Sequence, residues 1–124
     1  DRANRQDRRT AEKFALAERA HELAEDRRRE LAAELDSTWA DWDAAQARLQ
    51  EHEHRLIPAA RARYATRQAA YSAGGAPLGA VWEARRSVLE VELEHWIILV
   101  DRQRAAIRLA YLTDHRLTDP QEKK

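Results

Sequence analysis

The 124-residue chain has no cysteine and no methionine, and only three glycines and three prolines. The missing cysteines exclude a disulfide scaffold, thiol catalysis and Cys-based zinc sites. So few glycines and prolines leave little material for the turns that sheets and many-element folds require. Charge of either sign is not in surplus: 22 basic side chains face 22 acidic ones. Without excess Lys and Arg there is no general basic field of the kind that counterion release on nucleic acid rewards. No apolar run is long enough for a membrane-spanning helix, and 35% of residues are charged. The chain does not begin with methionine or with a secretory signal peptide, so a processed chain or a piece of a longer protein is expected.

What is present is a helical palette. There are 25 alanines and 19 arginines against three lysines, and the length allows one domain at most. From Asp7 to Ser72 no glycine occurs and almost every residue tolerates a helix. The one concentrated breaker is Ala73-Gly74-Gly75-Ala76-Pro77. Gly74 suits a left-handed helix C-terminus, and Pro77 suits the first turn of a new helix. Helical composition resumes at Leu78 and fades near Thr113. The expected fold is all-α: a long antiparallel helical hairpin of coiled-coil type that oligomerises. Its parts are a helix over about 7–72, a tight Gly-Gly-Ala-Pro turn at 73–77, a helix over about 78–113 and a tail at 114–124.

Heptad spacing supports this reading. Leu35, Trp42, Leu49 and Leu56 recur every seven residues, beside Leu31, Thr38, Ala45, His52 and Ala59. In the second helix Trp82, Leu89, Trp96, Gln103 and Ala110 form one row, with Leu78, Leu93, Val100 and Ile107 alongside. Sustained seven-residue recurrence marks a coiled-coil seam. These rows, with all four tryptophans as seam packing, are the expected interface between the two helices. Val81, Val88, Val91, Ile98, Leu109 and Leu112 then lie off the seam, and a face carrying them is expected to meet another protein. Pro58 conflicts locally with a continuous helix, costing about 3 kcal/mol in an interior position. A bend or a change of partner is expected there, because the apolar stripe steps sideways to Ile57, Ala60, Tyr64 and Tyr71. At 1.5 Å per residue the first helix measures roughly 95–100 Å and the second about 50–55 Å. The first therefore outruns its partner. Its part from Arg8 to about Leu35, with a thin stripe of Phe14, Ala17, Ala20 and Ala24, needs a neighbour from outside the chain.

Chemistry-bearing constellations are few. Glu18/His21, Glu51/His54 and Glu92/His95 have the i, i+3 spacing that supplies ligands in di-metal helical bundles. Such a bundle takes ligands from four helices, and two are evident, so solvated or seam-edge residues are the simpler reading. Glu51-His52-Glu53-His54 points in several directions around a helix and does not converge; His52 falls on the apolar row as a packed histidine. Arg27-Arg28-Arg29 is flanked by Glu25, Asp26 and Glu30, which reads as a salt-bridged solvent face. No nucleophile triad, phosphate loop or nucleotide fingerprint occurs. No catalytic residue, metal ligand or cofactor is assigned, and the chain is not expected to be an enzyme.

The segment Tyr71-Ser72-Ala73-Gly74-Gly75-Ala76-Pro77-Leu78-Gly79-Ala80-Val81-Trp82-Glu83-Ala84-Arg85-Arg86 resembles the repeat tip of TolC-family outer membrane efflux proteins. Upstream, Arg55-Leu56-Ile57-Pro58-Ala59-Ala60 is similar to an element that precedes that tip, and Asn4-Arg5-Gln6-Asp7 with Ala11 is similar to the start of the family's descending helix. Ala105 to Leu112 is similar to its closing helix. Gly79-Ala80 and Trp82 depart from the family pattern. The resemblance is nearest to the heavy-metal efflux branch, of the cobalt-zinc-cadmium or copper-silver type. It covers about a quarter of a typical member, the second-repeat periplasmic hairpin.

The resemblance implies a conduit built from hairpins, trimeric in the full channel. Its place would be the periplasm of a Gram-negative bacterium, with the outer membrane reached only through parts this chain lacks. It implies a periplasmic adaptor protein as partner, docked at a tip made of Arg67, Tyr71, Gly74, Gly75, Ala76, Pro77, Leu78 and Arg85. It implies no nucleic-acid partner. The alternatives are a free-standing coiled-coil interaction module and a helical-bundle metal protein using the Glu-x-x-His pairs.

Overall fold

The computed structural model describes residues 2–117, with side chains described through residue 114. Every element among them is helical. Helix α1 spans Arg2–Glu51, a π-helical turn follows at His52–Leu56, α2 spans Ile57–Ser72 and α3 spans Leu78–Leu117. The first helix thus starts before Asp7 and the last continues past Thr113; residues 118–124 of the expected tail lie outside the described part. The chain forms two units, divided between Ser37 and Thr38.

In the first unit the helix is held by its own backbone and by short-range side-chain pairs. Arg27 meets Glu30 at 3.4 Å, Arg28 meets Glu25 at 3.0 Å and Arg29 meets Asp26 at 3.7 Å. The triple-arginine run is therefore the salt-bridged face its flanking carboxylates suggest. Each exposed i, i+3 pair contributes a few tenths of a kcal/mol. Phe14, Leu16 and Leu23 are exposed.

In the second unit α3 runs antiparallel to α2 and to the end of α1. Arg61 reaches Glu92 at 2.7 Å, Arg48 reaches Glu94 at 3.3 Å, and Arg102 donates to Gln46 at 2.7 Å. The core between them holds Ala45, Leu49, Ala60, Val88, Ile98, Ala105, Leu109 and Leu112, with the polar members Thr38 and His52. From the α1–α2 side the first-helix rows behave as the heptads predict at Thr38, Ala45, Leu49 and His52. Beyond them Ala60 is buried in place of Ala59, which is exposed.

The π-helical turn explains that step. His52 and Ala60 are both buried yet eight residues apart, whereas two α-helical turns take about 7.2 residues. The wider turn absorbs the extra residue, and the Ile57 amide donates to the His52 carbonyl five residues back. Pro58, which has no amide hydrogen, then sits in the first turn of α2, where none is needed. The conflict at Pro58 is resolved by a change of helical pitch.

On α3 the expectation is overturned. Val88, Ile98, Leu109 and Leu112 are buried, and Val81 and Val91 are half-buried. The row expected in the seam is outside: Trp82 is 66% exposed, Trp96 65% and Leu93 62%, with Leu89, Val100 and Ile107 also exposed. Both rows recur every seven residues, so periodicity alone cannot choose between them. Bulk decides. The opposing surface contributes Ala45 and Ala60, and Ala105 lies on α3 itself, so the helices approach closely. An indole in that seam would hold them apart, whereas valine and isoleucine fill it. Of the other tryptophans, Trp42 is half-buried and Trp39 is half-exposed, the two meeting edge to face at 5.9 Å.

Candidate interaction surfaces

Three features of the second unit bear on what the chain can do: the turn between α2 and α3, a polar pair inside the seam, and the outer face of α3.

The turn is closed by backbone alone. Gly74 has φ of +78°, the left-handed conformation glycine adopts without a Cβ penalty. The Gly75 amide donates to the Ala70 carbonyl and the Gly74 amide to the Tyr71 carbonyl, both at 2.9 Å. That pair of bonds is a Schellman cap. Pro77 stands just before α3, and its carbonyl accepts from the Ala80 amide at 3.1 Å. No side chain is consumed in closing the turn. Tyr71 and Leu78 are exposed there, as are Arg67, Gly75 and Pro77, while Ala76 is half-buried. Arg85, about two helical turns into α3, lays its guanidinium 5.5 Å over the Tyr64 ring. The tip residues named from the sequence are thus gathered around one turn, and Arg85 is tied back to α2 by a cation–π contact.

Inside the seam His52 is 5% exposed. Its Nδ1 lies 2.9 Å from the Arg48 carbonyl, which can only accept, so Nδ1 carries the hydrogen and donates. Nε2 therefore points at the partner helix, 3.5 Å from a Glu94 carboxylate oxygen, with no hydrogen bond within normal distance. On the neighbouring turn His95 approaches Glu53 at 3.8 Å. Both histidines cross from one helix to a carboxylate on the other. These cross-helix partners escaped the sequence reading, which looked for Glu and His three apart on one helix.

The Glu-x-x-His pairs do not assemble. Glu51 bonds Arg55, the His54 ring bonds the Gln50 carbonyl at 2.9 Å, and Glu92 bonds Arg61. Glu18 and His21 lie in the other unit, both exposed. Among the described residues no three His, Asp or Glu side chains are gathered as a metal site would need.

The outer face of α3 carries a row of large apolar side chains that nothing among the described residues covers. Trp82, Leu89, Leu93, Trp96, Val100 and Ile107 follow one another at steps of three, four and seven along about seven helical turns. Ile98 on the inner face and Val100 on the outer one are two residues apart, about 200° around the helix. Helix α3 thus carries two heptad rows on nearly opposite sides, one packed and one bare. No helix among the described residues is long and apolar enough to cross a membrane, so lipid does not account for the bare row as a spanning surface. Searches of protein-family models, curated proteins and solved structures find no match to this chain.

Proposed function

We propose that this chain is a non-catalytic assembly element, a helical hairpin that packs side by side with further helices through the outer face of α3. The carrying observation is the second heptad row. A helix with one partner needs one seam; a helix with seams on opposite sides has a neighbour on each, as in a helical layer or tube. Contiguous exposed apolar surface on this scale is a protein contact in waiting.

The tip sequence narrows the reading to a periplasmic hairpin of a TolC-like outer membrane efflux channel, of the heavy-metal branch. In that setting hairpins line a conduit, and solute passes without chemistry. The Gly74–Leu78 turn docks a periplasmic adaptor, with Arg67 and Tyr71 at its edge. What supports the tip role is that its closure uses backbone bonds only, leaving Tyr71 and Leu78 facing outward. The free-standing interaction module shares the same outer seam and differs in having no use for the tip.

The test is carried out in the native gene. Leu78→Glu and Tyr71→Ala variants are scored for resistance to exported metal or drug. A loss with Leu78→Glu and Tyr71→Ala, at unchanged protein level, is the expected result. Full resistance in both contradicts the efflux reading and leaves the interaction module.

A further inference from the structure

The large outer row of α3 has a small-residue counterpart on the opposite edge of the same hairpin. We infer that the bare face of α3 is covered by a second copy of this chain, which presents the alanine-lined back of its α1 end and α2, with its turn at the same end. The inference rests on the reading of that face as an assembly seam, and adds the covering surface, the direction and the level.

Ala45 and Ala60 are buried in the inner seam, whereas Ala47 and Ala62, two positions further on, are exposed. Two residues turn a helix by about 200°, so both lie on the side away from α3. Ala40 and Ala44 precede Ala47 on that side, and Ala65 and Ala69 follow Ala62, all of them exposed. Between the two alanine runs stand Glu51 and Arg55, bonded to each other. The hairpin thus has one edge of large apolar side chains and one of small ones.

Large against small is the packing already used inside, where Val88 and Ile98 meet a surface holding Ala45 and Ala60. A neighbour with its turn at the same end repeats the antiparallel relation of the inner seam. The levels follow from the hairpin itself, in which Gln46 is level with Arg102, Glu53 with His95 and Tyr64 with Arg85. Within one helical turn, Ile107 and Val100 then come level with the first alanine run, and Leu89 and Trp82 with the second. Trp96 comes level with Glu51 and Arg55, where an indole can lie over the guanidinium. Two outer rows set face to face would instead stack indoles and leucines on one another. The area suffices as well. The row's large side chains, each about half to two-thirds exposed, together carry on the order of the 800 Å2 per partner that a standard interface covers. One edge meeting the other is a head-to-tail contact, so each added copy exposes a fresh row and association runs beyond a dimer.

The absence of native cysteine makes the arrangement directly readable. Val100→Cys, Leu89→Cys and Ala47→Cys proteins are prepared separately, checked for unchanged helicity, and oxidised mildly alone and in equal mixtures. All three positions are exposed in the single chain, so the fold tolerates them. The expected result is a covalent dimer when Val100→Cys is mixed with Ala47→Cys. None is expected with Val100→Cys alone, because successive outer rows stand two helix spacings, roughly 16–20 Å, apart. Dimers of Val100→Cys alone mean two outer rows face to face, and overturn the arrangement. A link between Leu89→Cys and Ala47→Cys, which lie about 18 Å apart in level, means an inverted neighbour and overturns it too. Association by sedimentation without any of these links means that another surface is used; that overturns the inference and leaves the assembly reading standing. A chain that stays monomeric overturns both. In the cysteine-free chain Ala47→Glu is expected to weaken association by on the order of 100-fold or more, since it sets an unpaired charge against the outer row of the neighbour. Unchanged association of Ala47→Glu overturns the inference.

Discussion

Two residues two positions apart on α3 experience opposite surroundings, and their truncations separate the faces. Ile98 is fully buried among Ala45, Leu49 and Leu99. Ile98→Ala is expected to destabilise the fold by about 2–5 kcal/mol, through lost transfer energy and the cavity left behind. Trp96 is 65% exposed in the single chain, so Trp96→Ala should cost under about 1 kcal/mol in dilute, dissociated protein. Urea unfolding followed by circular dichroism checks both; equal losses would mean that the two faces are wrongly assigned. The glycines give a second contrast. Gly74→Ala puts a Cβ at φ of +78° and is expected to cost about 1–2 kcal/mol. Gly79→Ala lies in the first turn of α3 with nothing within 4 Å of the new methyl, and should raise stability by about 0.5–1 kcal/mol through helix propensity. A chain in which both substitutions act alike would not contain the left-handed cap.

At the level of elements, the π-helical turn at His52–Leu56 is an insertion of one residue that keeps Ala60 in phase with His52. His54 is exposed within that turn, bonding only its own helix. Deleting His54 together with Pro58→Ala is expected to yield an uninterrupted α-helix with the same buried face, and a melting temperature equal to the parent or higher. Deleting Arg63 from the regular part of α2 instead turns everything after it by about 100°, and should lower the melting temperature by well over 5 °C, the shift that 1 kcal/mol brings about in a domain of this size. Equal melting of the two deletions would show that the π turn holds no register. The helices and the turn were legible in the sequence because their signals are local: unbroken helix formers, then Gly74 in the cap position and Pro77 ahead of the next helix. The stripe shift around Pro58 was legible too, and its cause, a change of pitch, was not, since proline alone is equally compatible with a kink. The choice of face on α3 was misread because Trp82, Leu89 and Trp96 keep heptad spacing as faithfully as Val88, Ile98 and Leu109, and larger side chains were given the seam. Ala45 and Ala60 across the interface held the answer: close backbones exclude indoles. The polar pairs His52–Glu94 and His95–Glu53 join residues more than 40 positions apart and follow only from the antiparallel register.

For the whole molecule, the account reduces to a helix with two seams, of which a single chain covers one. The fold stands on Ile98, Val88 and their neighbours, and association stands on Leu93, Trp96 and theirs, so the two properties should be separable by substitution. Sedimentation of the full chain across a range of concentrations, with and without Leu93→Glu, measures this most directly. The account predicts reversible association of the parent chain and a monomeric Leu93→Glu chain with the same helical content. A parent chain that remains monomeric at the highest concentration, or a Leu93→Glu chain that associates as tightly as the parent, would contradict it.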